Sequence, residues 1–160
     1  MMRRLRASDS FRSGASSQTW SSDLRTVRNA LNPALAINEA GKVGFLYQQL
    51  TGSGAAESWE TKIEFTTDGA NWNALTLAKV SAAGPAKTFD PYLGDYAHLT
   101  SLGKDFYGIF SANNTPKKTN FPNGVVYQRN VNWTSGKLLD IDNTTPVHAS
   151  IDPFFLKVSG

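Results

Sequence analysis

Hydrophobic residues recur at every second position in short stretches, and each stretch ends at a turn residue. Ile63 and Phe65 alternate with Lys62 and Glu64, the period of two expected of a strand with one buried face. Strands of this kind are predicted at 33–37, 43–50, 59–66 and 72–77, separated by turns at 39–42 and 67–70 and a Gly/Ser/Ala loop at 51–56. A second series is predicted at 96–102, 106–110, 125–129 and 138–141, with a turn at Gly103-Lys104 and a polar loop at 111–124. Lys62-Ile63-Glu64-Phe65 would also fit a helix turn, but the flanking Gly and Asx-Gly turns favour strands. No stretch has helical spacing. The pattern therefore predicts an all-β chain of four-stranded antiparallel meander units.

The units repeat. An apolar residue, Asn or Asp, Pro and two apolar residues occur at Leu31-Asn32-Pro33-Ala34-Leu35, Phe89-Asp90-Pro91-Tyr92-Leu93 and Ile151-Asp152-Pro153-Phe154-Phe155, 58 and 62 residues apart. Trp20, Trp72 and Trp133 keep a related rhythm, at intervals of 52 and 61. A long fixed period with turn chemistry opening each unit is the signature of a repeat architecture. It divides the chain into a leader at 1–12, the end of a unit at 13–30, full units at 31–89 and 90–150, and the first strand of a further unit at 151–160. From the alternation, Leu35, Ile37, Phe45, Tyr47, Ile63, Phe65, Trp72, Leu99, Phe106, Ile109, Val126 and Trp133 are expected in the core. Glu60 and Glu64 share a strand face, expected to be the solvent face, although a tyrosine could pair with them.

Composition adds three constraints. The 160 residues suffice for a compact domain with a real core. The absence of cysteine excludes disulfides and thiolate metal sites. The net charge of +3 is unevenly placed: six of the seven arginines lie in residues 1–28 against Asp9 and Asp23, leaving the remainder slightly acidic. That basic, Ser-rich leader lacks aromatic interleaving or a helical face, so it is read as a solvated arm, with no nucleic-acid partner. No apolar run reaches the length of a membrane-spanning helix, and the basic N-terminus lacks the apolar segment of a signal peptide. Localisation stays open, extracellular or periplasmic if the chain belongs to an exported parent.

Thr66-Thr67-Asp68-Gly69-Ala70-Asn71-Trp72 resembles the Asp-box, Ser/Thr-x-Asp-x-Gly-x-Thr-Trp, of sialidase-like β-propellers with BNR repeats, one residue shorter between Asp and Trp. The stretch 13–20 fits the frame at Ser13, Thr19 and Trp20, with Ala15 in place of the Asp, and near Trp133 only Asn132-Trp133 survives. Gly94-Asp95-Tyr96 is similar to the Gly-Asp-Tyr element that opens an inner strand in many bacterial members of that family. The resemblance spans about 13–160 and implies a radial propeller whose inner strands line a central site, often for glycans. Thr66, Asp68, Gly69 and Trp72 would then be scaffold: the carboxylate accepts turn N–H groups, Gly supplies positive φ, and Trp covers the sheet. Two full units with a partial one at each end do not close a ring, so self-association or the remainder of a longer propeller is expected.

The same resemblance implies a carboxylate clamp of three arginines, a Tyr nucleophile paired with Glu, and an Asp acid/base. The repeat region holds one arginine, Arg129, so no complete catalytic set is expected and glycoside hydrolysis would need a complete propeller. Asp95 and Tyr96 are the catalytic candidates, and with Arg129 the substrate-binding candidates. Asn32, Asp90 and Asp152 read as turn-formers before proline. His98 and His148 lack carboxylates at metal-ligand spacing, and Asp140-Ile141-Asp142-Asn143 lacks the rest of a calcium loop, so no metal and no cofactor are expected. The expected function is a glycan-binding or glycoside-hydrolase-like propeller segment, inactive alone, with a non-catalytic interaction or structural module as the alternative.

Overall fold

The computed structural model describes residues 30–85, 93–94, 96–123, 125–126 and 129–160. The chain is all-β, with antiparallel sheets throughout. The first sheet is a four-stranded meander in the order β1 (Ala30–Ile37), β2 (Val43–Thr51), β3 (Ser58–Thr66), β4 (Asn73–Ser81). The second runs β5 (His98–Leu102), β6 (Asp105–Asn113), β11 (Ile151–Val158), β7 (Val125–Val126). A small third sheet joins β8 (Asn130–Asn132), β9 (Lys137–Leu139) and β10 (Pro146–Val147). Among the described residues the only helical pieces are 3-10 turns at Gly54–Ala56 and Lys118–Asn120, and no helix is long and apolar enough to cross a membrane.

The two four-stranded sheets pack face to face. Leu46, Ile63 and Leu77 from the first meet Leu99, Phe106, Phe110, Phe154 and Leu156 from the second, all essentially buried. Each such side chain contributes about 1.5–3 kcal/mol by leaving water. Phe106 on β6 reaches across to the first sheet. Its ring stacks at a tilt on Phe65 with centroids 5.3 Å apart, and a Cβ added at Gly44 would lie 2.8 Å from it. The glycine on β2 therefore makes the room that the phenylalanine on β6 fills.

The second unit departs from the predicted meander. Residues 151–158, expected to open a further unit, lie between β6 and β7 and pair with β6 over eight positions, from Ile151↔Asn113 to Val158↔Phe106. Asp152, Phe154 and Leu156 alternate inward, so this strand supplies the core that the short β7 cannot. The stretch 130–147 forms its own small sheet.

Several expected core residues also face the other way. Tyr47, Ile63, Leu99 and Phe106 are buried, and Phe45, Phe65 and Trp72 are half-buried. Leu35 and Ile37, at 58% exposure each, point outward because Ala34 and Ala36 occupy the inward positions of β1. Ile109 and Val126 are exposed for the same reason: Phe106, Gly108 and Phe110 turn inward on β6, and Val125 on β7 packs against the core. Trp133 stands in the β8–β9 turn beneath the Lys118 ammonium, 5.2 Å from the ring centroid.

Candidate functional site

The sheets present two ends. One carries the β3–β4 turn at 67–72. Thr66, buried at the end of β3, accepts the Gly69 N–H at 2.8 Å and donates to Asp68 Oδ1 at 3.0 Å. Asp68 Oδ1 also accepts the N–H groups of Ala70 and Asn71 at 2.9 and 2.8 Å, and Oδ2 accepts the Asn71 side-chain amide at 2.7 Å. Gly69 has φ +72°, which a side chain would strain, and its carbonyl accepts the Trp72 indole N–H at 3.1 Å. The Asn71 backbone and side chain, then the Ala70 N–H and the Thr66 hydroxyl, hold the Asp68 carboxyl well below the usual carboxylate range. Both carboxylate oxygens are engaged within the turn, so its work is to fix the strand connection. Thr66→Val keeps the shape and removes the hydroxyl; it is expected to cost about 1–2 kcal/mol in urea unfolding.

The opposite end gathers the loop 52–57, the ends of β4 and β6, and the starts of β1, β5 and β11. Asn32 does not form a turn. It occupies an irregularity of β1 with φ +51°, donating to the Gly94 carbonyl at 3.1 Å and to Gln48 Oε1 at 2.9 Å. Gln48 is fully buried and ties the sheets together, donating to Thr61 Oγ1 at 3.0 Å and to the Ser111 carbonyl at 2.8 Å. This network anchors the loop that carries Tyr96, which is 81% exposed. Asp95 and Asp90 lie outside the described residues.

Asp152 is likewise no turn-former but a buried member of β11. It accepts from Arg129 Nε at 2.5 Å, Asn114 Nδ2 at 2.6 Å and Ser150 Oγ at 2.8 Å. Burial pushes its carboxyl up, but the Ser150, Arg129 and Asn114 hydrogen bonds and the guanidinium charge together hold it below the ordinary value. β6 lies between β11, which Arg129 holds, and β5, which Tyr96 precedes. Two strand spacings, about 10 Å, separate those positions.

The carboxylates on β3 are buried, where alternation suggested a solvent face. Glu64 accepts the Tyr47 hydroxyl at 2.7 Å, with Glu64 3% and Tyr47 5% exposed, so a substrate has no access to this Tyr–Glu pair. Glu60 binds Lys62 at 2.8 Å and Lys79 at 2.7 Å. Burial opposes its ionisation, yet the hydrogen bonds from Lys62, Lys79 and Gln49 and the Lys62 charge bring it to about 2. Asp142 spends its oxygens on Thr144 and Thr145, and among the described residues no group of three His, Asp or Glu side chains could hold a metal ion.

A cleft of about 420 Å³ opens between the sheets at the loop end, lined among others by Ser58, Lys79, Ser81, Asn113 and Lys117. Sequence reasoning missed it because its lining comes from the loop before β3, from β3, β4 and β6, and from the loop after β6, none of which carries a motif there. No family model, curated protein or solved structure matches this chain.

Proposed function

We propose that the chain is a segment of a sialidase-like β-propeller that recognises a glycan at its loop end and does not hydrolyse sialosides on its own. The observation that carries this reading is the exposed Tyr96 on a loop pinned by the Asn32–Gly94 hydrogen bond, since an aromatic ring held open to solvent is suited to cover a sugar face. The Thr66–Trp72 turn, with its Asp68 hub and the Trp72 indole bonded to the Gly69 carbonyl, supports the family reading. Against hydrolysis stands the arginine count: the repeat region holds one, and Arg129 is committed to Asp152. A clamp lacking two of three guanidiniums loses charge-assisted hydrogen bonds worth roughly 1.5–3 kcal/mol each, on the order of a hundred- to ten-thousand-fold in rate. The chain is expected to give no turnover of a fluorogenic sialoside above buffer. Turnover that survives Arg129→Ala would overturn this.

A second reading, a structural module, is favoured by one observation. His98, Ile109, Phe155 and Val126 form a cross-strand row on the outer face of the second sheet, all four exposed. The outer face of the first sheet offers exposed Leu35 and Ile37. Stacking the first sheet of a second copy on this row would cover both surfaces. Light scattering that gives a monomer at high concentration would remove this reading.

A further inference from the structure

The outer faces of the two four-stranded sheets differ. On the second, the central strands β6 and β11 carry Ile109 and Phe155, 46% and 37% exposed. On the first, the central strands β2 and β3 carry Tyr47, Lys62 and Glu64 on the side away from the core, since Leu46 and Ile63 between them point inward. Tyr47 and Glu64 are nonetheless as buried as core residues, and Glu60 and Thr66 on the same face of β3 are buried too. The Tyr47–Glu64 hydrogen bond and the lysines on Glu60 make that burial tolerable. A partner lying beside a side chain in the sheet does not, however, keep water off it from above. Phe45 stacks on Tyr47 from the same strand, with centroids 5.4 Å apart, and leaves the rest of the face to be covered.

We propose that residues 20–29 return across the outer face of the first sheet, with Arg25 beside Glu64 and with Leu24 and Val27 over the Tyr47 ring. Ala30 opens β1 at the edge of this sheet, level with Gln49 and Glu60 on the outer face. From Ala30, Glu64 lies two strands across and four residues along β3, roughly 16 Å at ordinary strand spacing. Five residues of extended chain span about 17 Å and the arginine side chain adds to it, so Arg25 reaches Glu64. A carboxylate taken out of water is stabilised by a guanidinium, which can bind it through two parallel hydrogen bonds. Leu24 and Val27 bring the apolar surface that the Tyr47 ring needs above it. The basic leader then ends in an arm held on the sheet, where its composition alone suggests a solvated one. The cover stops short of Leu35 and Ile37, whose exposure leaves the far end of β1 open. The glycan reading plays no part in this inference.

The chain has no cysteine, so Ser22→Cys gives the full chain a single site for a nitroxide label. The amide signals of Tyr47, Lys62 and Glu64 are expected to be lost to paramagnetic broadening and to return when the label is reduced. Those of Ile109 and Phe155 should persist throughout. Arg25→Glu should restore the Tyr47 and Glu64 signals with the label still oxidised. Arg6→Glu, the same charge change further from Ala30, should not. An unchanged spectrum across β5 and β6 confirms that each variant is folded, and the label result stands without either variant. Mixing label-bearing chain with isotope-enriched chain that carries no label tests whether a second copy supplies the cover. The proposal falls if the Tyr47 and Glu64 signals survive the label, if signals on both sheets are lost alike, or if the loss is equal in the mixed sample. Loss that survives Arg25→Glu, or that Arg6→Glu removes as well, would overturn the pairing of Arg25 with Glu64.

Discussion

Replacing Phe106 by alanine is expected to lower stability by about 3–5 kcal/mol, measured by urea unfolding. The ring is fully buried, packs on Phe65 and fills the space above Gly44 between the two sheets. Domain stabilities are about 5–15 kcal/mol, so this one truncation removes a large share. Gly44→Ala should be costly for the complementary reason. The new Cβ would meet three Phe106 ring atoms at 2.8–3.2 Å, and overpacking of this kind costs about 1–3 kcal/mol. The two sites are coupled. In a Phe106→Leu background, Gly44→Ala should cost distinctly less than in the parent, because the smaller side chain leaves room. Additive costs would mean that Gly44 and Phe106 do not share one contact, and the face-to-face packing would need revision.

Asp152→Ala is the second large effect, expected at about 2–4 kcal/mol. Breaking a buried ion pair costs about 3–5 kcal/mol, and the partial exposure of Arg129 lowers that figure. The substitution leaves the Asn114 amide, almost wholly buried, and the Arg129 guanidinium without their shared acceptor. The loss should depend on pH. The folded carboxyl titrates below its ordinary value, so its contribution is fully present above about pH 4 and disappears as pH falls through the folded value. The gap between parent and Asp152→Ala urea midpoints should therefore be constant from neutral pH to about pH 5 and narrow in acid. A gap that widens in acid would show that Asp152 is not the depressed group.

The sequence carried the first meander well, because Ile63 and Phe65 alternate with charged neighbours and tight turns bracket each strand. It also marked the Thr66–Trp72 turn, whose partners all lie within six residues. Alternation identifies two faces without saying which is inward. Small Ala34 and Ala36 took the core side of β1 while the larger Leu35 and Ile37 stayed outside, and Glu60 and Glu64 were buried through local partners. The Asn/Asp-Pro pairs look like turns because proline and Asx residues favour them. Their real roles depend on distant partners: Asn32 reaches Gly94, 62 residues on, and Asp152 reaches Asn114, 38 residues back. The same distance hid β11. Nothing local to residues 151–158 says that the strand returns to β6.

The claim that the loop end recognises a glycan is tested most directly by an amide NMR titration with sialyllactose. Saturable shifts are expected at Gly94 and Tyr96, and the Gly94 shift should be lost in Tyr96→Ala with the remaining spectrum unchanged. Unmoved Gly94 and Tyr96 signals at saturating glycan, or a Gly94 shift that persists in Tyr96→Ala, would contradict the claim.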